Sequence, residues 1–288
     1  MRRFVLAAAM TAMAFGARAA DLPILRGGLM DSPPVARGNW DGFYAGGDLS
    51  YTALQADFSK SIVGLTNFIF RDSVLQQPAA NFGLLPKTTT QGTGFGGFVG
   101  RNWQWDDIVF GLEANYNYFS SLSTATKGFN SLAILNPGGQ SDPNVNTTYV
   151  VTLTGQAAVQ LKDAIAFRAR TGWATGNFLP YVFGAAVIGR MDVSRSVTST
   201  VTRRDDITNP VSGVTTIGTT FLVPAQSQTL IEQKLNQFVA GWSGGLGLEY
   251  SVWGGLFMRG EWEYMKFLAV KNTIVQANHL RLGVGYKF

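Results

Sequence analysis

The sequence contains no cysteine and one histidine, His279. The first absence excludes a disulfide framework, a thiolate metal site and an acylated cysteine at an export cleavage point. Together the two leave no residues for the usual transition-metal clusters. Nor is there an apolar run long enough to cross a bilayer as a helix: the longest, Phe4 to Phe15, is about twelve residues where about twenty are needed. Any membrane passage must therefore rest on strands. Charge is scarce as well, at 14% of the chain. The formal +5 includes Arg2, Arg3 and Arg18; without them 20 basic residues face 18 acidic ones, which gives no support to a nucleic-acid role.

What the chain does have is 34 glycines, a 12% share of aromatics and a recurrent period of two. The last eleven residues show it best. Leu280, Leu282, Val284, Tyr286 and Phe288 fall on one face, and His279, Arg281, Gly283, Gly285 and Lys287 on the other. Such a strand suits a wall between lipid and a polar lumen. The other end agrees: Arg2 and Arg3, the apolar stretch and Ala17-Arg18-Ala19 read as a cleaved signal peptide over residues 1–19. A Pro-rich lead over 20–39, with Pro23, Pro33 and Pro34, reads as a periplasmic tether. The barrel domain is expected over 40–288.

Eight segments of about the length of a tilted membrane strand follow. The first, Gly42 to Tyr51, puts Phe43, Leu49 and Tyr51 outward and Tyr44, Asp48 and Ser50 inward. The second, Gly94 to Trp103, sends Val99 and Trp103 out, and Arg101 with them, so that Arg101 must snorkel or the register is one residue wrong. The third, Asp107 to Tyr118, sets Ile108, Phe110, Leu112, Tyr116 and Tyr118 against Glu113, Asn115 and Asn117. The fourth, Ala164 to Trp173, turns Phe167 and Trp173 out and Arg168 and Arg170 in. For the fifth, Leu179 to Val193, the expected outward set is Tyr181, Phe183, Ala185, Val187 and Met191, with Gly184, Arg190 and Asp192 inward. The sixth, Gln237 to Tyr250, and the seventh, Gly255 to Lys266, point Glu249, Arg259, Glu261 and Glu263 inward. The terminal strand is the eighth. Connectors alternate between short and long, as periplasmic turns and outer loops do in such barrels. Tyr149 to Leu161 also alternates and is read as an upward extension of the fourth strand, because a ninth strand would invert that pattern.

The segments Trp40-Asp41-Gly42-Phe43-Tyr44-Ala45-Gly46-Gly47, Phe98-Val99-Gly100-Arg101-Asn102-Trp103, Gly176-Asn177-Phe178-Leu179-Pro180-Tyr181-Val182 and Tyr286-Lys287-Phe288, with the Ala20-Asp21-Leu22-Pro23 start, resemble the opacity-type outer-membrane surface antigens of alphaproteobacteria, often labelled porin-family proteins. The resemblance implies an eight-stranded up-and-down barrel in a Gram-negative outer membrane and no shared catalytic site. It also implies that Tyr286 and Phe288 form the signal read by the barrel-assembly machinery.

An eight-stranded barrel is only wide enough for its own side chains. Glu113, Arg168, Arg170, Arg190, Glu249, Arg259, Glu261, Glu263 and Arg281 are therefore expected to pair across the lumen, since such charges are costly unless paired. His279 has no serine two positions on and reads as a structural donor. Gly92-Thr93-Gly94-Phe95-Gly96-Gly97 matches a dinucleotide-binding pattern but opens a strand with no following helix, so that reading fails. The apolar first loop, Thr52 to Gln91, is expected to form a folded cap, with an adhesive or hydrophobic-ligand surface as the other reading. The third, Ser194 to Leu235, is expected to form a projecting hairpin whose Arg195, Arg203 and Arg204 are solvated or meet lipopolysaccharide phosphates. No cofactor and no enzymatic activity are expected. The partners expected are outer-membrane lipid, lipopolysaccharide and the assembly machinery, and the function an envelope-structural surface protein. The alternatives are a narrow porin for small solutes and an adhesin or antigen acting through the first and third loops on an unidentified host ligand.

Overall fold

The computed structural model describes residues 38–80 and 83–288. The expected signal peptide, and the lead before Gly38, lie outside the described residues. The sequence-wide alternation appears as long antiparallel strands: β1 (Gly42–Asp57), β2 (Lys87–Trp105), β3 (Ile108–Leu135), β4 (Val145–Trp173), β5 (Phe178–Thr208), two short pieces β6 (Thr215–Thr216) and β7 (Phe221–Leu222), then β8 (Thr229–Trp253), β9 (Leu256–Phe267) and β10 (Ile274–Lys287). Each of the eight long strands pairs with its sequence neighbour, and β10 closes on β1 from Tyr44 opposite Lys287 up to Asp57 opposite Ile274. Closure leaves no free edge within the membrane, as a bilayer without water requires.

Three short turns join β2 to β3, β4 to β5 and β8 to β9. Each contains one residue in the left-handed region, Asp106, Gly176 and Gly254, which lets the chain reverse tightly. At the opposite end β3, β4, β5 and β8 run for 28, 29, 31 and 25 residues, far beyond the roughly ten that span the membrane. Tyr149 to Leu161 is continuous with the membrane part of β4, so the count stays at eight. Extra residues interrupt the ladders beyond Tyr118 in β3, at Lys162 in β4 and before Gln237 in β8. These bulges lie where the strands leave the membrane level, and bulges bend a strand and re-aim its side chains.

The outer wall carries two belts of exposed aromatics. Phe43, Trp105, Phe110, Trp173, Phe178, Tyr250, Trp253 and Tyr286 mark the short-turn end, and Tyr51, Phe95, Tyr118, Phe238 and Trp242 the long-loop end. Amphipathic rings favour the two membrane interfaces, and between them lie Val99, Leu112, Phe167, Leu246, Leu280 and Leu282. Arg101 does point outward; its guanidinium lies 4.8 Å from the Phe43 ring and 5.3 Å from that of Trp103, inside the lower belt, where it reaches the headgroups.

The fifth strand is a correction. In β5, Tyr181, Phe183, Val187 and Met191 are buried inside, while Val182, Gly184, Ala186 and Ile188 face out. Both faces of this segment are apolar, so hydrophobicity alone does not distinguish them. The reversal follows from a lumen that is apolar at both ends.

The first loop folds into a cap containing two short helices, α1 (Val63–Ile69) and α2 (Gln76–Ala80). Ile62, Thr66 and Ile69 share one face of α1 and are buried, as are Phe58, Phe70, Leu75, Leu84 and Leu85. The apolar residues of this set, all but Thr66, join Leu54, Leu122, Leu153, Leu161, Met191, Val197 and Phe267 in one apolar cluster in the upper lumen.

Candidate functional site

The candidate site is the lumen, whose contents follow from register. Side chains of alternate residues meet there, and cross-strand pairing places Glu113 beside Arg168, Gly111 beside Arg170, Glu249 beside Arg259 and Glu261 beside Arg281. Arg168 reaches Glu263 at 2.6 Å and Glu261 at 3.0 Å. Arg170 grips Glu249 with both terminal nitrogens, at 2.6 and 2.8 Å. Arg259 bridges Glu113 and Glu249, each at 2.7 Å. Arg281 pairs with Glu261, lies 3.1 Å from Glu263 and donates to Asn115 Oδ1 at 2.9 Å. Four guanidiniums thus face four carboxylates, all with side chains 1–2% exposed.

Neutral donors complete the shell. The Tyr44 hydroxyl donates to Glu113 at 2.9 Å, the Tyr181 hydroxyl to Glu261 and the Asn115 amide to Glu113. The guanidiniums also rest on rings: Arg259 lies 3.8 Å from Phe98, Arg168 4.3 Å from Phe183 and Arg170 4.4 Å from Tyr181. Planar guanidinium suits both tasks, bidentate pairing along its edge and stacking through its face.

Apolar layers close this polar slab on both sides. At the short-turn mouth Trp40, Phe98, Val109, Leu179, Phe183 and Phe257 pack together around Tyr44 and Tyr181. Trp40 enters from the residues preceding β1, its backbone N–H held by Gln104 Oε1 at 2.7 Å. The space among Asn39, Trp40, Asn102, Glu249 and Lys287 is about 20 Å³, room for one water molecule. Above the slab stands the cap cluster.

Eight of the nine expected lumen residues come together: Glu113, Arg168, Arg170, Glu249, Arg259, Glu261, Glu263 and Arg281. Arg190 does not. It lies on the outward face of β5, its side chain 38% exposed, and pairs with Asp163 at the upper membrane boundary. Asp192, also expected inside, pairs with Lys162 at 2.8 Å. The aromatic partners Tyr44, Tyr181, Phe98 and Phe183 were legible as strand residues, but nothing local in the sequence marks them as donors or stacking platforms. His279 is fully buried, edge-on to Phe119 at 5.6 Å, with Nδ1 3.7 Å from Glu263. No group of three or more His, Asp or Glu side chains among the described residues is arranged to hold a metal ion.

Above the membrane Arg195 is neither solvated nor turned to lipid. It is 9% exposed and ties three loops: Nη1 donates to the carbonyls of Ser61 in the cap and Lys271, the latter at 3.1 Å, and Nε donates to Glu232 at 2.9 Å. Lys271 also pairs with Glu232 at 2.6 Å. Hydrogen bonds from Lys271 and Arg195 hold the Glu232 carboxyl below its ordinary pKa. Arg203 and Arg204 pair along their own strand with Asp205 and Asp206.

The sequence profile described as "Outer membrane protein beta-barrel domain" matches residues 6–288. The chain belongs to that family. Among solved structures, this member of the outer membrane beta-barrel family is similar to Neisserial surface protein A (13% identity, 86% of this chain and 97% of the other, TM-score 0.32). It is also similar to the attachment invasion locus protein Ail of Yersinia pestis (10%, 86% and 99%, 0.29) and to the N-terminal barrel domain of Pseudomonas aeruginosa OprF (12%, 83% and 97%, 0.26). No curated protein matches the chain. The family places it in the outer membrane; barrels of this kind keep their short turns on the periplasmic side.

Proposed function

We propose that this chain is an envelope-structural surface barrel of the opacity type, a sealed scaffold that holds its outer hairpins in the lipopolysaccharide layer, with no catalytic role. One observation carries the reading. The lumen is occupied in three consecutive layers: the Trp40 plug, the balanced slab of four arginines and four glutamates, and the cap cluster. A solute path would have to displace two apolar layers and break ion pairs whose partners are almost completely desolvated. Leaving one such charge buried without its partner costs about 3–5 kcal/mol. Tyr286 and Phe288, exposed at the short-turn end of β10, serve in the same reading as the assembly signal.

Planar-bilayer recording tests it. The purified barrel is expected to leave the membrane silent, and reproducible single-channel steps from the wild type would refute the sealed lumen in favour of a narrow porin. A second reading, adhesion, rests on the apolar residues exposed at the hairpin tips, among them Phe129, Leu135, Val211 and Ile217. Deleting residues 125–155 and 196–231 would then remove surface attachment while leaving the heat-modifiable barrel intact.

A further inference from the structure

β3, β4, β5 and β8 form a sheet that rises above its neighbours. β2 pairs with β3 only up to Gly94 opposite Phe119, and from Leu122 onward β3 is paired with β4 alone. On its other side the chain follows β3 a little further: the Thr88 and Thr124 hydroxyls lie 2.8 Å apart, and the Leu84 carbonyl fills the place of a Cβ on Gly128. Above that point no strand among the described residues pairs with this edge. Its seven residues, 129–135, contain no charge, proline or glycine, and Phe129, Leu132 and Leu135 are 70%, 43% and 62% exposed. An uncharged, exposed edge strand is a template for another strand, and proteins ordinarily blunt such edges with lysine, proline or a bulge. The opposite edge of the same sheet is blunted in that way: above Gly241, β8 no longer pairs with β9 but carries Lys234 and the Arg195–Glu232–Lys271 clamp.

The direction of the free backbone groups follows from the ladder. Asn136 N–H donates to the Thr147 carbonyl at 2.8 Å. By the alternation of an antiparallel pair, Asn130, Leu132 and Ile134 then turn their backbone groups to β4, and Phe129, Ser131, Ala133 and Leu135 turn theirs to the open edge. These four positions are symmetric about Leu132. A second copy of the segment, running antiparallel, sets Phe129 opposite Leu135 and Ser131 opposite Ala133, and exchanges about eight backbone hydrogen bonds. Leu132 meets its own copy on the two-fold axis, Asn130 meets Ile134, and no like charges are brought together. We infer that residues 129–135 form a self-pairing edge through which two copies of this chain join. β3 rises from the short-turn end, so an antiparallel partner descends and its barrel lies in a facing membrane. The contact therefore bridges two membranes. Leu132 stands about fourteen residues beyond Tyr118 of the upper belt, which sets a gap of about 70–90 Å between the two surfaces. This inference rests on the adhesion reading and names its partner.

The test uses the full barrel reconstituted in lipid vesicles, with clustering read by light scattering and the gap by electron cryo-microscopy. Wild-type vesicles are expected to cluster at the stated gap. Ala133→Pro removes an edge donor without touching the β4 ladder, and should slow clustering about tenfold or more, since each contact loses two hydrogen bonds. Leu132→Glu and Leu132→Lys vesicles should each stay dispersed, because like charges meet on the axis, and should cluster when mixed. Wild-type vesicles that stay dispersed, charged variants that cluster alone, or a mixture that does not, overturn the pairing. Heat-modifiable migration checks that each variant is folded. Should one fail that check, Leu132→Cys decides in a chain with no cysteine of its own: a disulfide-linked dimer between differently tagged vesicles supports the contact, and monomer alone overturns it. Dispersed wild-type vesicles that still attach to a foreign surface through residues 125–155 would remove self-pairing and leave adhesion standing.

Discussion

Arg259→Met removes the guanidinium on which the slab converges while keeping most of the side-chain volume. Arg259 stands 2.7 Å from Glu113 and 2.7 Å from Glu249, and its plane covers the Phe98 ring at 3.8 Å. The two carboxylates do not lose equally. Glu249 keeps both bonds from Arg170, at 2.6 and 2.8 Å. Glu113 keeps the Tyr44 hydroxyl at 2.9 Å, the Asn115 amide and only long contacts to cations, 3.4 Å to Arg168 and 3.6 Å to Arg170. The slab goes from balanced to one net negative charge in a site 1% exposed. Removing one member of a buried pair costs about 3–5 kcal/mol, chiefly through the charge left behind, and the lost ring contact adds about 1–2 kcal/mol. Most of this should vanish in Arg259→Met with Glu113→Gln, which restores the balance while Tyr44 and Asn115 retain an amide to bond. A coupling of about 2–3 kcal/mol is the expected signature. The assay is urea unfolding of the barrel in lipid vesicles, followed by tryptophan fluorescence and by heat-modifiable migration. A single variant less than about 1 kcal/mol weaker than wild type, or a double variant whose loss is the sum of the single ones, would refute the reasoning.

Three other outcomes follow from the same geometry. Arg195→Ala should free the cap from Ser61 and Lys271 at a cost of about 1–3 kcal/mol to local order, seen as faster proteolysis between residues 58 and 86 with the membrane barrel unaffected. Because Glu232 has its pKa lowered in the folded state, its contribution to that clamp is complete above the ordinary glutamate pKa and is lost as pH falls through the depressed value; the protection factors of the cap amides, with the intrinsic pH dependence of exchange divided out, should therefore fall on acidification and stay constant above about pH 6. Trp40→Ala empties the periplasmic plug of a side chain 4% exposed and should lower stability by about 3–5 kcal/mol, measured by the same urea titration.

How much of this was legible beforehand varies by element. β3 and β10 were readable residue by residue because their outward side chains are large and apolar and their inward ones polar or glycine; period two and hydrophobicity then agree. Arg101 left two readings, a snorkelling arginine or a register error, and the first holds, since its guanidinium lies between the Phe43 and Trp103 rings in the aromatic belt. β5 failed because Tyr181, Phe183 and Val187 alternate with Val182, Ala186 and Ile188, two apolar faces that no local rule separates. Arg190 was misplaced with them. Arg195 was misread for a different reason: a charge in a Thr- and Ser-rich hairpin looks solvated until the cap from another part of the chain arrives above it.

The sequence by itself determined the wall, its eight strands and most of the charges it turns inward, Arg190 and Asp192 excepted, because alternation is a local property set by backbone geometry. Only the tertiary structure decided what fills the wall. Which glutamate meets which arginine, and that Trp40 and the first loop stop the two ends, depend on closing β10 against β1. That closure brings side chains more than 150 residues apart into one desolvated slab, where pairing distances rather than sequence spacing set the energy.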